Sequence, residues 1–229
     1  MTQSTYIVAS CKAWHRQEFE CISDEFPDAN WLWVTTTDEL VAALANSEPR
    51  YIFFVHWSWR VPESIWSVVE CVCFHMTDVP FGRGGSPLQN LIVAGHKETK
   101  LSALRMVAEM DAGPVYAKLS LDLAGRAEEI YLRAGKLSFA LVRWIVRDEP
   151  TPVEQQGTPV VFTRRQPWQS ELPRDGELTE LYDHIRMLDA PTYPLAYVDH
   201  GEYRCEFTDA TLDSEGLVAR VRIRLRTRG

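Results

Sequence analysis

Four short, almost continuous apolar runs in the first third of the chain constrain its fold more than any other feature. They lie at 6–10 (YIVAS), 31–34 (WLWV), 51–56 (YIFFVH) and 70–75 (ECVCFH). Segments with helical character separate them. The first, 13–26, is closed by Pro27. The second starts at Thr37 or Asp38 as cap and runs to about residue 46, and the third covers 62–68. Strands that are apolar on every residue are buried on both faces, and strands alternating with helices make a parallel sheet covered on both sides. The expected fold class is α/β: a Rossmann-like, mostly parallel sheet flanked by helices. Such sheets bind ligands outside the carboxyl ends of their strands. The chemistry is therefore expected just after Val55 and just after Phe74.

The middle of the chain is less regular. A glycine-rich loop, 81–86 (FGRGGS), precedes an apolar stretch at 87–94. A strand is expected at 101–110, and a long helix at 122–146 that breaks or shifts near Gly135. Residues 148–159 (DEPTPVEQQGTP) turn to Pro, Gln and Glu and read as a linker. Beyond them come a helix over 177–188 and strands at 203–207 and 217–226. The expected organisation is a catalytic domain over 1–150, and over 151–229 a linker with a small α+β extension.

Composition narrows the class of function. Of 229 residues, 45% are hydrophobic and 24% charged, enough apolar material for a packed core. The formal net charge of −8 is a poor match to polyanions such as tRNA or DNA. No run approaches the roughly 18 apolar residues of a membrane span, and the first residues lack a secretory pattern. The five cysteines then read as reduced thiols of a cytoplasmic protein.

Cys71, Cys73 and His75 alternate and so share one side of a strand. They do not suit a single metal ion. Residues four apart on a strand lie about 13 Å from each other at roughly 3.3 Å per residue, whereas zinc ligands sit at about 2.0–2.3 Å from the ion. No metal is expected. The loop 81–86 is either a surface turn or a nest of backbone N–H groups for an anion. Arg220, Arg222, Arg224, Arg226 and Arg228 alternate with mostly apolar residues, which gives a strand with one cationic face. That face either guards a sheet edge or meets a phosphate.

Residues 73–114 carry a longer pattern. His75, Thr77, Pro80, Arg83-Gly84, Pro87, Gly95, Thr99 and Asp111-Ala112-Gly113 fall in ungapped register with N-x-H-x-S-L-L-P-x-x-R-G-x-x-P, G-x-x-x-T-G-V-T and D-x-G. This resembles the N10-formyltetrahydrofolate-dependent formyltransferases, of the methionyl-tRNA formyltransferase-like kind, over about residues 50–200. The family asparagine is Cys73 here, and S-L-L-P is Thr77-Asp78-Val79-Pro80. These departures resemble a subgroup of sugar N-formyltransferases and nonribosomal peptide synthetase formylation domains.

The resemblance implies a set of roles. His75, Asp111 and Cys73 would be catalytic. Trp59, Arg60, Val61, Val107, Ala108, Glu109, Met110 and Asp111 would bind N10-formyltetrahydrofolate, the formyl donor. Thr77, Asp78, Arg83, Gly84 and Gly85 would bind the acceptor. Methionyl-tRNA, an amino sugar and a carrier-bound aminoacyl group compete as acceptors. The acidic charge and short tail favour a UDP- or dTDP-linked 4-amino-4,6-dideoxyhexose. The expected protein thus binds a nucleotide sugar, touches neither nucleic acid nor membrane, and pairs as a homodimer.

Overall fold

The computed structural model describes residues 3–226. In chain order the elements are β1 (Thr5–Ala9), α1 (Arg16–Glu25), β2 (Asn30–Val34), α2 (Thr37–Asn46), β3 (Pro49–Phe54), α3 (Glu63–Trp66), β4 (Glu70–His75), β5 (Arg83–Gly84), α4 (Pro87–Val93), β6 (Glu98–Arg105), β7 (Val115–Asp122), α5 (Ala127–Asp148), β8 (Val161–Phe162), α6 (Leu178–Arg186), β9 (Ala196–His200), β10 (Tyr203–Leu212) and β11 (Leu217–Leu225). The residues fall into two interleaved compact units. One is Met1–Gly84, Lys100–Leu121 and Leu132–Val161; the other is Gly85–Thr99, Asp122–Tyr131 and Phe162–Gly229. The stretch read as a linker lies inside the first unit.

The first unit is an α/β fold on a six-stranded sheet of order β2-β1-β3-β4-β6-β7. The pairs β1–β2, β1–β3 and β3–β4 are parallel, and β4–β6 is antiparallel. Ile7, Val8, Ile52, Phe53, Phe54 and Val72 are buried to within 2% of full enclosure, as continuous apolar runs demand. The helices begin where capping chemistry allows. Thr36 Oγ1 accepts the Glu39 N–H at 3.2 Å, while Glu39 Oε2 accepts the Thr35 N–H at 2.6 Å.

Three expectations fail between β6 and α5. The strand placed at 101–110 is β6, Glu98–Arg105, and the chain then leaves the sheet as a loop. The helix placed at 122–146 starts at Ala127, because Val115–Asp122 is a strand, β7. Nor does α5 break at Gly135. A Cβ there would lie 2.2 Å from His15 Cε1, so the glycine admits a neighbouring ring.

In the second unit, β9, β10 and β11 form an antiparallel sheet of order β11-β10-β9. Gln89 Nε2 donates to Tyr131 Oη and to Met187 O, each at 3.0 Å. The buried Arg186 guanidinium donates to Leu123 O and Gly125 O at 2.7 Å and pairs with Asp183 at 2.6 Å. The cationic strand exists as β11, and β10 and β9 largely neutralise it. Arg220 pairs with Asp209 at 3.2 Å, Arg226 with Asp199 at 3.1 Å, and Arg224 with Glu206. Arg228 lies outside the described residues.

Candidate active site

The carboxyl end of β4 carries the candidate chemistry. Val72 and His75 are buried along this strand, and His75 pairs in register with Ser102 on β6. His75 Nε2 lies 2.8 Å from Gly82 O, and Nδ1 lies 3.5 Å from Asp111 Oδ2. The ring and the carboxylate are both largely enclosed, with 9% and 15% of their side-chain surfaces exposed. A neutral imidazole has one N–H, so it can satisfy one of these two acceptors at a time.

Asp111 comes from the loop that follows β6. Its backbone sits at φ 54°, the left-handed region that side chains enter at a cost unless the surroundings hold them there. Its Oδ2 also accepts the Gly84 N–H at 2.9 Å. The same carboxylate acts on Cys73. Burial first, then the Asp111 charge, push the Cys73 thiol well above its ordinary range, so it stays protonated. Burial likewise pushes Cys71 up to about 12. His75, Asp111 and Cys73 therefore come together.

The expected anion nest is closed. Gly82 and Arg83 N–H groups both donate to Val160 O, at 2.9 and 3.0 Å, and the Gly84 N–H is taken by Asp111. In the second unit, the Gly85 N–H donates to Phe162 O at 3.2 Å. Arg83 is buried and turned onto protein acceptors. Its Nε and Nη2 reach Gln155 Oε1 at 3.0 and 2.8 Å, and its Nη1 reaches Glu109 at 3.2 Å. A diphosphate would find these donors already engaged. Thr77 is also unavailable: it is fully buried and its hydroxyl donates to Gly82 O at 3.3 Å. Asp78 pairs with Lys118 of β7 at 2.5 Å.

The residues expected around the donor divide into two kinds. Trp59 is 46% exposed and meets Trp57 edge-on at 4.9 Å, an aromatic surface at the carboxyl end of β3, and Arg60 is exposed beside it. Val61 instead packs into the core with Ile7, Phe54 and Ile65. Val107, Ala108, Glu109 and Met110 form the loop before Asp111, with Met110 exposed and Glu109 tied to Arg83.

Sequence reasoning missed two arrangements. Gln155, in the presumed linker, is hydrogen-bonded to both halves of the site. At the carboxyl ends of β1 and β3, His15 Nε2 lies 2.5 Å from His56 Nδ1 with the rings stacked at 4.8 Å. Burial, then the Lys12 charge, lower His15 to about 4; burial, then His15 and Lys12, lower His56 to about 3. No spacing rule links positions 41 residues apart, so neither arrangement had a local signal. Among the described residues, no three His, Cys, Asp or Glu side chains are grouped to hold a metal ion, and no helix is long and apolar enough to cross a membrane.

Residues 167–224 match the family model described as the methionyl-tRNA formyltransferase C-terminal domain. A methionyl-tRNA formyltransferase from Mesoplasma florum is 26% identical over 175 residues, 72% of this chain and 55% of that protein. The chain thus spans about half the length of the curated relatives it matches. HypX from Aquifex aeolicus, solved with tetrahydrofolic acid, shares the fold at a TM-score of 0.74 and 17% identity, over 93% of this chain and 39% of that one. The structure of a methionyl-tRNA formyltransferase from Clostridium thermocellum is 42% identical and superposes with a TM-score of 0.93, covering 97% of this chain and 100% of that one. At that identity and coverage, the chain belongs to the methionyl-tRNA formyltransferase-like family of formyltransferases.

Proposed function

We propose that this protein transfers a formyl group from N10-formyltetrahydrofolate to a primary amine, and that the acceptor is the α-amino group of methionyl-tRNA. The observation that carries the reaction is the enclosed His75–Asp111 pair, 3.5 Å apart at the carboxyl end of β4. The acceptor rests on the name of the 42% identical protein, which matches this chain along its whole length. The exposed indole of Trp59 supplies a flat surface of the kind a pterin ring stacks on.

Bound N10-formyltetrahydrofolate supplies the electrophilic formyl carbon. The chain's own groups do the rest. His75 takes the proton that the attacking amine loses and returns it to the nitrogen that departs, while one C–N bond forms and another breaks. Asp111 orients the ring and stabilises its charged form. The protonated Cys73 thiol is a weak donor for the formyl oxygen as negative charge builds there. For Nε2 to act, His75 exchanges its contact with Gly82 O for the amine.

The nucleotide-linked amino sugar ranks second. It draws on the net charge of −8 and on the paired state of the β11 arginines, both of which disfavour a polyanion. One experiment separates the two. The full chain is incubated with N10-formyltetrahydrofolate and either methionyl-tRNA or a UDP- or dTDP-linked 4-amino-4,6-dideoxyhexose. Tetrahydrofolate release and the mass gain of one formyl group are then followed. Formylation of methionyl-tRNA is expected. Formylation of the sugar alone transfers the assignment to the second reading, and release with no acceptor overturns both.

A further inference from the structure

Four hydrogen bonds converge on one carboxamide outside the expected site. Gln155 Oε1 accepts from Arg83 Nε at 3.0 Å and Nη2 at 2.8 Å, and Gln155 Nε2 donates to Asp111 O and Gly113 O, each at 2.8 Å. Three distant segments meet at this side chain: the loop after His75, the loop bearing Asp111, and the stretch after α5. That stretch is itself fixed. Val153 and Val115 exchange backbone hydrogen bonds at 2.7 and 2.8 Å. The facing segment has no slack either, because a Cβ on Gly113 would lie 1.8 Å from Arg105 O.

The polarity of the carboxamide is used at both ends. The guanidinium offers only donors and the two carbonyls only acceptors, so the bridging group must accept on one side and donate twice on the other. Glutamine does this; glutamate would set a second oxygen against two carbonyls. The carbonyl gripped is that of Asp111, the residue held at φ 54° whose carboxylate faces His75. A left-handed non-glycine backbone persists where its surroundings over-determine it.

The geometry points to Gln155 as a positioning residue: with Arg83 it clamps the Asp111 backbone so that the carboxylate meets the His75 ring. The consequence for turnover rests on the formyl-transfer reading, whereas the clamp itself does not. Arg83 accordingly serves the site from within and leaves the acceptor to other groups.

The test uses the full chain and two substitutions. Gln155→Met keeps the volume and removes all four hydrogen bonds. Gln155→Glu keeps the Arg83 contact and loses both donations. Each is expected to lower kcat for formyl transfer to methionyl-tRNA by about tenfold or more, with KM for N10-formyltetrahydrofolate within about twofold, the pattern of lost transition-state alignment. The ¹⁵N shifts and tautomer balance of the His75 ring are expected to change in both variants. If Gln155→Met does not fold, Gln155→Glu carries the test. If the wild-type chain formylates no acceptor, the functional reading fails and the His75 ring signals alone decide. Unchanged ring signals in a folded variant, or kcat within about threefold of wild type, overturn the assignment.

Discussion

His75 Nε2 lies 2.8 Å from the carbonyl oxygen of Gly82, so the nitrogen assigned to proton transfer is held by the loop that follows it. The loop is itself fastened to Val160 O through the Gly82 and Arg83 amides. For an amine to donate its N–H to Nε2, the ring must give up Gly82 O and carry its one proton on Nδ1, which faces Asp111 Oδ2 at 3.5 Å.

His75→Ala is expected to remove about 10²–10⁴-fold of formyl-transfer turnover, the usual share of a general acid–base group, while circular dichroism stays that of the wild type. Asp111→Asn keeps the shape and loses the charge facing Nδ1, and is expected to fall in the same range. Steady-state kinetics with N10-formyltetrahydrofolate checks both; turnover within about tenfold of wild type, under 1.4 kcal/mol of barrier, removes the assignment.

Cys73→Asn restores the family residue beside Asp111 and replaces a weak S–H donor with an N–H donor. Turnover is expected to rise, within the 10²–10³ range of a single oxyanion donor, roughly. Complete loss in a folded variant would show that the site is packed around the thiol.

The stacked His15–His56 pair predicts acid sensitivity. Unfolded, both rings bind a proton near 6.5; folded, His15 does so only at about 4 and His56 at about 3. Within that window the unfolded chain holds more protons, so stability is full above 6.5 and is lost as the pH falls. For His15 the loss approaches about 3 kcal/mol, at 1.36 kcal/mol per unit. Urea unfolding at pH 7 and at about pH 4.5 reads it. Equal midpoints would mean that the pair is charged or open in solution.

Gly135→Ala would normally strengthen a helix by about 1 kcal/mol. Here the added Cβ would fall 2.2 Å from His15 Cε1 and 2.4 Å from His15 Nδ1. The overlap is expected to dominate and to destabilise the protein by about 1–3 kcal/mol. A raised melting temperature would show that the His15 ring moves aside freely.

The legible part of this protein is the part written in neighbouring residues. The strand Glu70–His75 is visible because its residues 71–74 form an unbroken apolar run, and its carboxyl end marks the place of His75. β7 escaped because Val115–Asp122 alternates polar and buried positions with Lys118 and Ser120 among them, and so lacks the continuous apolar signal of β1 and β3. Gly135 read as a helix break because a glycine's local meaning is flexibility, whereas its actual neighbour is a ring 120 positions away in sequence. Gln155 lay in a polar, proline-bearing stretch, and its role depends on atoms supplied by residues 44 and 72 positions away. The glycines of the loop after β4 suggested an open anion site, and only the partners of their amides show that it is filled.

The paired arginines of β11, with Arg226 just after it, bear on how a polyanion would be held. A free arginine that meets a phosphate sheds the counterions condensed on the nucleic acid, and each such contact steepens the dependence of affinity on salt. Arg220, Arg224 and Arg226 already face Asp209, Glu206 and Asp199, so a phosphate must first displace a carboxylate. Ions are then exchanged within the protein instead of being released to solvent. Binding of an RNA acceptor to this sheet would accordingly weaken only gently as salt is raised.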